Sequence, residues 1–274
     1  MERYTLLILL FFCFLQGFTE FLPISSQGHL MVFNNYYRLD VATGISALES
    51  TIIAHFGSLF AVTIYYNKTL KDFLTSLKLL DRPDIDKSSF LLVNIIISSL
   101  PLILIGYIFA KIFNHDNENI FLIIGITSIV FGILLFVIDS FCLRIKNLNS
   151  LNYFTSFMIG LSQCMALVPG VSRSGSVLTA MRFLGFQRKF SVFYSNLLSL
   201  PAVSAATGYL LLSNIDKLST STIFSFYGIM IFLISLLFSL LFIFLFIAWI
   251  KKFSFFIFCL YRLVFGVFLI YYFT

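Results

Sequence analysis

The chain has 274 residues, 59% of them hydrophobic and only 11% charged, with a mean hydropathy of +1.00. A soluble domain is about 45–50% apolar and about 25% charged, so an ordinary cytosolic enzyme and a disordered chain are both excluded, for want of polar residues to coat a surface or solvate a coil. In such a chain the formal charge of +6 reads as membrane topology and not as nucleic-acid binding. Cys13, Cys142, Cys164 and Cys259 are too widely spaced for a zinc or redox motif. Outer-membrane barrels need short alternating strands, whereas the apolar runs here are long and continuous. A polytopic helical membrane protein is what remains.

A spanning helix needs about 20 mostly apolar residues. Residues 4–33 run apolar as far as Leu22 and then break at Pro23 into a Ser/Gly/His segment. Full spans are predicted over 41–66, 89–110 and 119–141, with a charged loop over 67–88. Residues 153–186 run apolar to Val168 and break at Pro169-Gly170. Spans over 191–212, 223–250 and 253–272 follow. The expected fold is therefore all-α and polytopic, with six full transmembrane helices and two re-entrant helix-loop-helix segments. Irregular backbone at membrane depth is tolerated only inside protein or along a wet cavity. Arg3 before an apolar run would also suit a signal peptide, but no small-x-small cleavage site follows.

If both broken segments return to the side they entered from, one face holds 12 basic residues: Lys68, Lys71, Lys78, Arg82, Lys87, Arg144, Lys146, Arg182, Arg188, Lys189, Lys251 and Lys252. The other holds 4, Arg3, Arg38, Lys111 and Lys217. The positive-inside rule makes the richer face cytoplasmic and puts both termini outside. His115, with Asp116 and Glu118, is expected to be solvated in an outer loop. Trp249 reads as an interfacial anchor, and Arg262 faces either a partner or the interior.

The two breaks resemble each other. Pro23-Ile24-Ser25-Ser26 and Pro169-Gly170-Val171-Ser172 align with an offset of 146 from Pro23 to Pro169 and from Ser26 to Ser172. Each break is followed by three spans, an odd number, which inverts the second unit relative to the first. That suggests inverted repeats, residues 1–150 and 151–274, within one membrane domain, their broken helices meeting near the midplane.

Three groups of residues carry chemistry. Gln16 and Glu20 share a helix face, and a carboxylate in an apolar stretch costs about 2.5–3.5 kcal/mol on insertion scales, so Glu20 needs a cation, a metal or a polar cavity. Ser25-Ser26-Gln27-Gly28-His29 offers hydroxyls, an amide and an imidazole able to move protons near neutrality; the plainer reading is a helix N-cap. Pro169 to Ser176 brings Arg173 to membrane depth among Ser172, Ser174, Ser176, Gly170 and Gly175. Backbone N–H groups, hydroxyls and a forked cation are what a phosphate requires, although Arg173 could instead pair statically with Glu20. His55 reads as a core or lining histidine.

At these residues the chain resembles the undecaprenyl-diphosphate phosphatase family, also called bacitracin-resistance proteins. The likeness rests on Gln16-Gly17-Phe18-Thr19-Glu20-Phe21-Leu22-Pro23-Ile24-Ser25-Ser26-Gln27-Gly28-His29 and on Pro169-Gly170-Val171-Ser172-Arg173-Ser174-Gly175. His55 to Val62 and Tyr194 to Pro201 resemble two further family segments. The resemblance implies a multi-pass inner-membrane enzyme that removes the terminal phosphate of undecaprenyl diphosphate to recycle the cell-wall lipid carrier. It implies Glu20, Ser26, His29 and Arg173 as catalytic residues, and Gln16, Ser25, Gln27, Gly170, Ser172, Ser174 and Gly175 around the phosphates. It also implies a divalent metal, Mg²⁺ or Ca²⁺, at Glu20. Ser26 or an activated water would attack, with His29 as base or acid. The first broken segment enters from outside, so the site is expected to open to the periplasmic side. Gln16 is an allowed form of its motif but removes one carboxylate. Gln27 stands where many members have Thr or Ser, and Phe193 where many have a charged residue. The expected partners are a prenyl diphosphate lipid and the bilayer, with no nucleic acid; a homodimer is left open. The alternative is a transporter or flippase for a phosphorylated lipid or anion, using the same site.

Overall fold

A computed structural model describes residues 2–112, 119–218 and 220–273. In chain order the helices are α1 (Glu2–Phe21), α2 (Ser26–Tyr36), α3 (Leu39–Thr43), α4 (Ala47–Tyr65), α5 (Asn67–Ser76), α6 (Lys87–Ile112), α7 (Ile120–Phe141), α8 (Tyr153–Gln163), α9 (Arg173–Phe183), α10 (Arg188–Ser213), α11 (Thr220–Ile223), α12 (Phe226–Ile250) and α13 (Phe256–Phe273). His115, Asp116 and Glu118 lie outside the described residues.

Seven of these helices are long and apolar enough to cross a membrane: α1, α4, α6, α7, α10, α12 and α13. Six are the expected full spans, with ends shifted by a few residues. The largest shift is at 41–66, where the span begins only at Ala47. Gly44 closes α3 in the left-handed region at φ +75°, and Ser46 opens α4 through a capping box with Glu49. The seventh is α1, the first limb of the first broken segment. It has the length to cross, yet the chain turns back after it. Phe33 of α2 packs on Phe12, ring centroids 5.4 Å apart, and Tyr37 packs on Phe11 at 5.9 Å.

The second broken segment makes a hairpin too. Its first limb, α8, has 11 residues and passes through a 3₁₀ turn over Cys164–Leu167. Its second limb, α9, returns to where α8 began. The backbone of Lys146, in the loop before α8, bonds to Gly185 and Gln187 just beyond α9.

Helices α1, α4 and α12 run parallel. Phe14 meets Phe238 and Phe18 meets Phe242 one turn on, while Ser58 of α4 bonds Ser239 of α12. Lipid gives no hydrophobic drive for helices to associate, so close approach through small residues does that work. A Cβ on Gly17 would stand 2.6 Å from Phe238 Cβ, so only glycine lets α1 lie this close to α12. Helix α13 runs antiparallel to α7, with Phe121 stacked on Phe273 at one end and Gly132 against Arg262 further along.

The chain segments carrying the 12 basic residues gather at one end of this bundle. Phe73 of α5 shares an apolar cluster with Leu151 and Phe186, and Ile250 and Phe255 share another with Leu135 and Val192. Two of those cations share one buried carboxylate. Arg182 is fully buried and donates from Nε to Asp139 Oδ1 at 2.8 Å, while Arg188 reaches Asp139 Oδ2 at 2.6 Å. Arg182 also donates to the carbonyls of Leu143, Cys142 and Phe186. One carboxylate on α7 thus fastens the end of α9 and the start of α10. Removing one partner of a buried pair costs about 3–5 kcal/mol, because the other charge stays buried. Asp139→Ala should therefore lower the thermal unfolding midpoint in detergent sharply, whereas Lys251→Ala, at an exposed position, should leave it within error.

Candidate active site

Both hairpins turn on a serine with positive φ. Ser25 sits at φ +74° before α2, and Ser172 at φ +68° before α9. Such a conformation costs a non-glycine residue about 1–3 kcal/mol and persists only where the surroundings impose it. The equivalence Ser25–Ser172 is an offset of 147, one more than between the prolines. It corrects the register expected from sequence, which matched Ser26 to Ser172. The extra residue is Gly170, at φ +90°, where a Cβ would lie 2.2 Å from Thr127 Oγ1 and 2.8 Å from the α7 backbone.

The two tips touch. Ser174 Oγ donates to the carbonyl of Leu22 at 2.7 Å. Arg262 of α13 is fully buried and spreads its guanidinium over five carbonyls. Nε donates to Ser128 at 3.1 Å, Nη1 to Pro23 and Val171, and Nη2 to Thr127 and to Gly170 at 2.9 Å. Both turns and the middle of α7 are thereby pinned to one side chain. The N-termini of two 11-residue helices, α2 and α9, start from these joined turns. Their first-turn N–H groups have no carbonyl within the helix and carry the positive end of its dipole, the usual setting for a bound anion.

Glu20, 8% exposed, lies at the end of α1 just before the first tip. Its neighbours come from α1 and α4. Gln16 Nε2 is 3.2 Å from Glu20 Oε2, 2.9 Å from His55 Nδ1 and 3.3 Å from Ser58 Oγ. His55 Nδ1 is itself 3.6 Å from Glu20 Oε2. The imidazole beside the acid is thus His55, which sequence alone ranked as a lining residue.

Arg173 opens α9 within electrostatic range of Glu20, but the pair is not closed into an ion pair: Arg173 Nη1 instead donates to the carbonyl of Ser195 on α10 at 3.0 Å. Arg173 Nη2 is buried with no partner. A static Glu20–Arg173 bridge is therefore not what the structure contains.

The remaining expected residues divide into two sets. Ser26 is partly exposed and Gln27 exposed at the start of α2. Ser172 Oγ accepts from the Gly175 N–H and contacts Ser174 Oγ, so Ser172, Ser174 and Gly175 shape the turn, as does Gly170. Ser25 gives its carbonyl to His29 Nδ1 at 2.7 Å. A carbonyl only accepts, so Nδ1 carries the proton. Nε2 lies 2.6 Å from the Tyr261 hydroxyl, and the ring stacks on Phe265 at 4.0 Å. Both nitrogens are occupied, and the structure does not bring His29 onto Ser26. Tyr261 was missed in the sequence, although Tyr261-Arg262 interrupts an otherwise apolar tail.

Among the described residues no three of His, Cys, Asp and Glu cluster as metal ligands. Mg²⁺ in phosphoryl-transfer sites commonly takes one or two carboxylates and leaves the rest of its shell to water and substrate phosphates. Glu20 supplies one carboxylate, and Gln16 Oε1 is buried without a partner. These oxygens fit a hard cation bound mainly through a diphosphate, and would not cage one alone.

Residues 9–268 match the family of the bacitracin resistance protein BacA. The chain is 32% identical over 255 residues to a protein named undecaprenyl-diphosphatase from Pelagibacter ubique, covering 93% of this chain and 92% of the relative. It is 33% identical over 267 residues to the protein of that name from Prochlorococcus marinus (95% and 97% covered). For the one from Alteromonas mediterranea the figures are 32% over 271 residues and 98% of each chain.

The guanidinium of Arg262 makes a test of this geometry. Lysine has three donors and no fork, so Arg262→Lys cannot span both turns and α7 at once, and each turn carbonyl left unpaired costs about 1–3 kcal/mol. Its thermal midpoint in detergent should fall well below that of the parent. An unchanged midpoint would mean that the tips hold without it.

Proposed function

Since the chain belongs to the BacA family of bacitracin resistance proteins, we propose that it is an undecaprenyl-diphosphate phosphatase, releasing the terminal phosphate to leave undecaprenyl phosphate. One observation carries this reading: a buried guanidinium edge, Arg173 Nη2, on the first residue of α9, has no protein acceptor. A buried cation with unused donors is matched by a dianionic phosphate and by little else available at that depth.

In this scheme Arg173 and the first-turn amides of α2 and α9 hold the terminal phosphate. Phosphoryl transfer needs positioning and stabilisation of charge on the bridging oxygen more than covalent chemistry. Ser26 Oγ, or a water in its place, attacks phosphorus in line as the bond to the bridging oxygen breaks and undecaprenyl phosphate leaves with that oxygen; where Ser26 attacks, a water then hydrolyses the phosphoserine. His29, its tautomer set by the Ser25 carbonyl, presents Nε2 as acceptor to the Tyr261 hydroxyl and so serves as a base: the proton leaving the nucleophile passes to the Tyr261 oxygen as the tyrosine proton moves to Nε2. Ser172, Ser174, Gly170 and Gly175 keep the tip rigid; Ser25 keeps His29 oriented. Glu20 and Gln16 Oε1 would hold a divalent cation, Mg²⁺ or Ca²⁺, which supplies further charge neutralisation when bound. We place the chain in the inner membrane with the basic end cytoplasmic and the tips open to the periplasm, and we take residues 1–150 and 151–274 as inverted repeats.

The test is phosphate release from undecaprenyl diphosphate by purified protein in detergent, with and without divalent metal. Arg173→Ala and Glu20→Ala should each lose about 10²- to 10³-fold in kcat/KM, the usual cost of removing one charge-stabilising group. Acid-trapped phosphoserine in the parent and its absence in Ser26→Ala would identify the nucleophile. Folded protein that binds the lipid and releases no phosphate would favour a flippase.

Orientation has its own check. Gln27 is exposed at the first tip, so Gln27→Cys in a background lacking the native cysteines should react with an impermeant thiol reagent added from the periplasmic side. Labelling from the cytoplasmic side alone would reverse the orientation.

A further inference from the structure

We infer that Ser195 is a phosphate-binding residue of this site, donating its hydroxyl to the same phosphate that Arg173 takes. The inference rests on the phosphatase reading and adds a group from α10, a helix that none of the expected site residues occupies. Ser195 is 2% exposed, and its Oγ has no hydrogen-bond partner.

A buried serine in a helix has a ready acceptor in the carbonyl three or four residues back. The neighbouring serines of α10 use it: Ser191 donates to Gln187 at 3.1 Å and Ser199 to Asn196 at 2.5 Å. Ser195 lies between them and does not. Its carbonyl accepts from Arg173 Nη1 at 3.0 Å, while Arg173 Nη2 is also unpartnered. Two buried donors on touching residues therefore both lack an acceptor. Such groups are costly to bury unless a ligand satisfies them. A tetrahedral phosphate, with several oxygens, can accept from both.

Ser128 provides the contrast. Its Oγ is also unpartnered, and its carbonyl also receives an arginine. That arginine, Arg262, has all its donor nitrogens bound to carbonyls, so nothing there calls for an anion. What marks Ser195 is the pairing of its free hydroxyl with a guanidinium whose outer edge is unused.

The test uses the full chain in detergent and farnesyl methylenediphosphonate, which cannot be hydrolysed at the bridging position. Affinity is measured by calorimetry and the ligand-free thermal midpoint separately. Ser195→Ala should weaken diphosphonate binding about 10- to 100-fold, the range for a hydrogen bond to a charged group. KM for the diphosphate should rise with it, and kcat should change far less. The ligand-free midpoint should hold or rise, because the hydroxyl removed has no partner. Ser191→Ala, whose hydroxyl is spent within its helix, should bind the diphosphonate like the parent. Parental affinity and KM in Ser195→Ala, whatever its midpoint, would overturn the role of Ser195 alone. Failure of the parent to bind the diphosphonate, or parental binding by Arg173→Ala, would overturn the phosphatase reading with it.

Discussion

A single buried cation without a carboxylate partner holds this structure's centre together. Arg262 spends its donors on five backbone carbonyls drawn from the first turn, the second turn and the middle of α7. Three of those carbonyls, on Pro23, Gly170 and Val171, are free acceptors because proline, glycine and positive-φ serine interrupt the helices there. In lipid an unpaired carbonyl and an unpaired guanidinium are each prohibitive, and here each is the remedy for the other. The breaks that create the site and the charge that stabilises it therefore depend on one another, and the positive φ of Ser25 and Ser172 is held by the same contacts.

The two hairpins share a geometry and divide the chemistry. With Ser25 matched to Ser172, Ser26 falls opposite Arg173 and Gly28 opposite Gly175, while one residue further His29 falls opposite Ser176. Ahead of the prolines, where the offset is 146, Glu20 falls opposite Ala166. The first hairpin carries the acid, the imidazole and the exposed hydroxyl; the second carries the guanidinium. Behind the second hairpin, Asp139 sets the far end of α9 through Arg182, so Arg173 projects from a helix anchored at both ends.

Much of this was legible in the sequence, because the bilayer enforces simple rules. The six spans, the two breaks and the expense of Glu20 and Arg173 at depth follow from length, hydropathy and the scarcity of charge. Partners across the bundle did not follow. His55 and not His29 stands by Glu20 because α4 and α1 both lie against α12, an approach set by Gly17 and by the Ser58–Ser239 contact. Nor could spacing reveal that both nitrogens of His29 are occupied, since Tyr261 is 232 residues away. Arg262 was visible as an isolated charge in a Phe-rich tail, but its acceptors are backbone atoms, on which side-chain patterns are silent. The register between the hairpins slipped by one because a glycine inserted in a turn looks, in sequence, like an ordinary substitution.

The distance along the chain between Arg262 and its acceptors has a consequence for biogenesis. Pro23 leaves the ribosome early, and the guanidinium that its carbonyl accepts follows 239 residues later. Until α13 is inserted, both turns must stay wet, shielded by the translocation machinery or by the membrane surface. Helix α8, with 11 residues, is too short to be inserted on its own account and must settle against α6, already in place. Although Ser174 can join the tips earlier, the carbonyls of Pro23, Gly170 and Val171 gain their guanidinium partner only once α13 is in place.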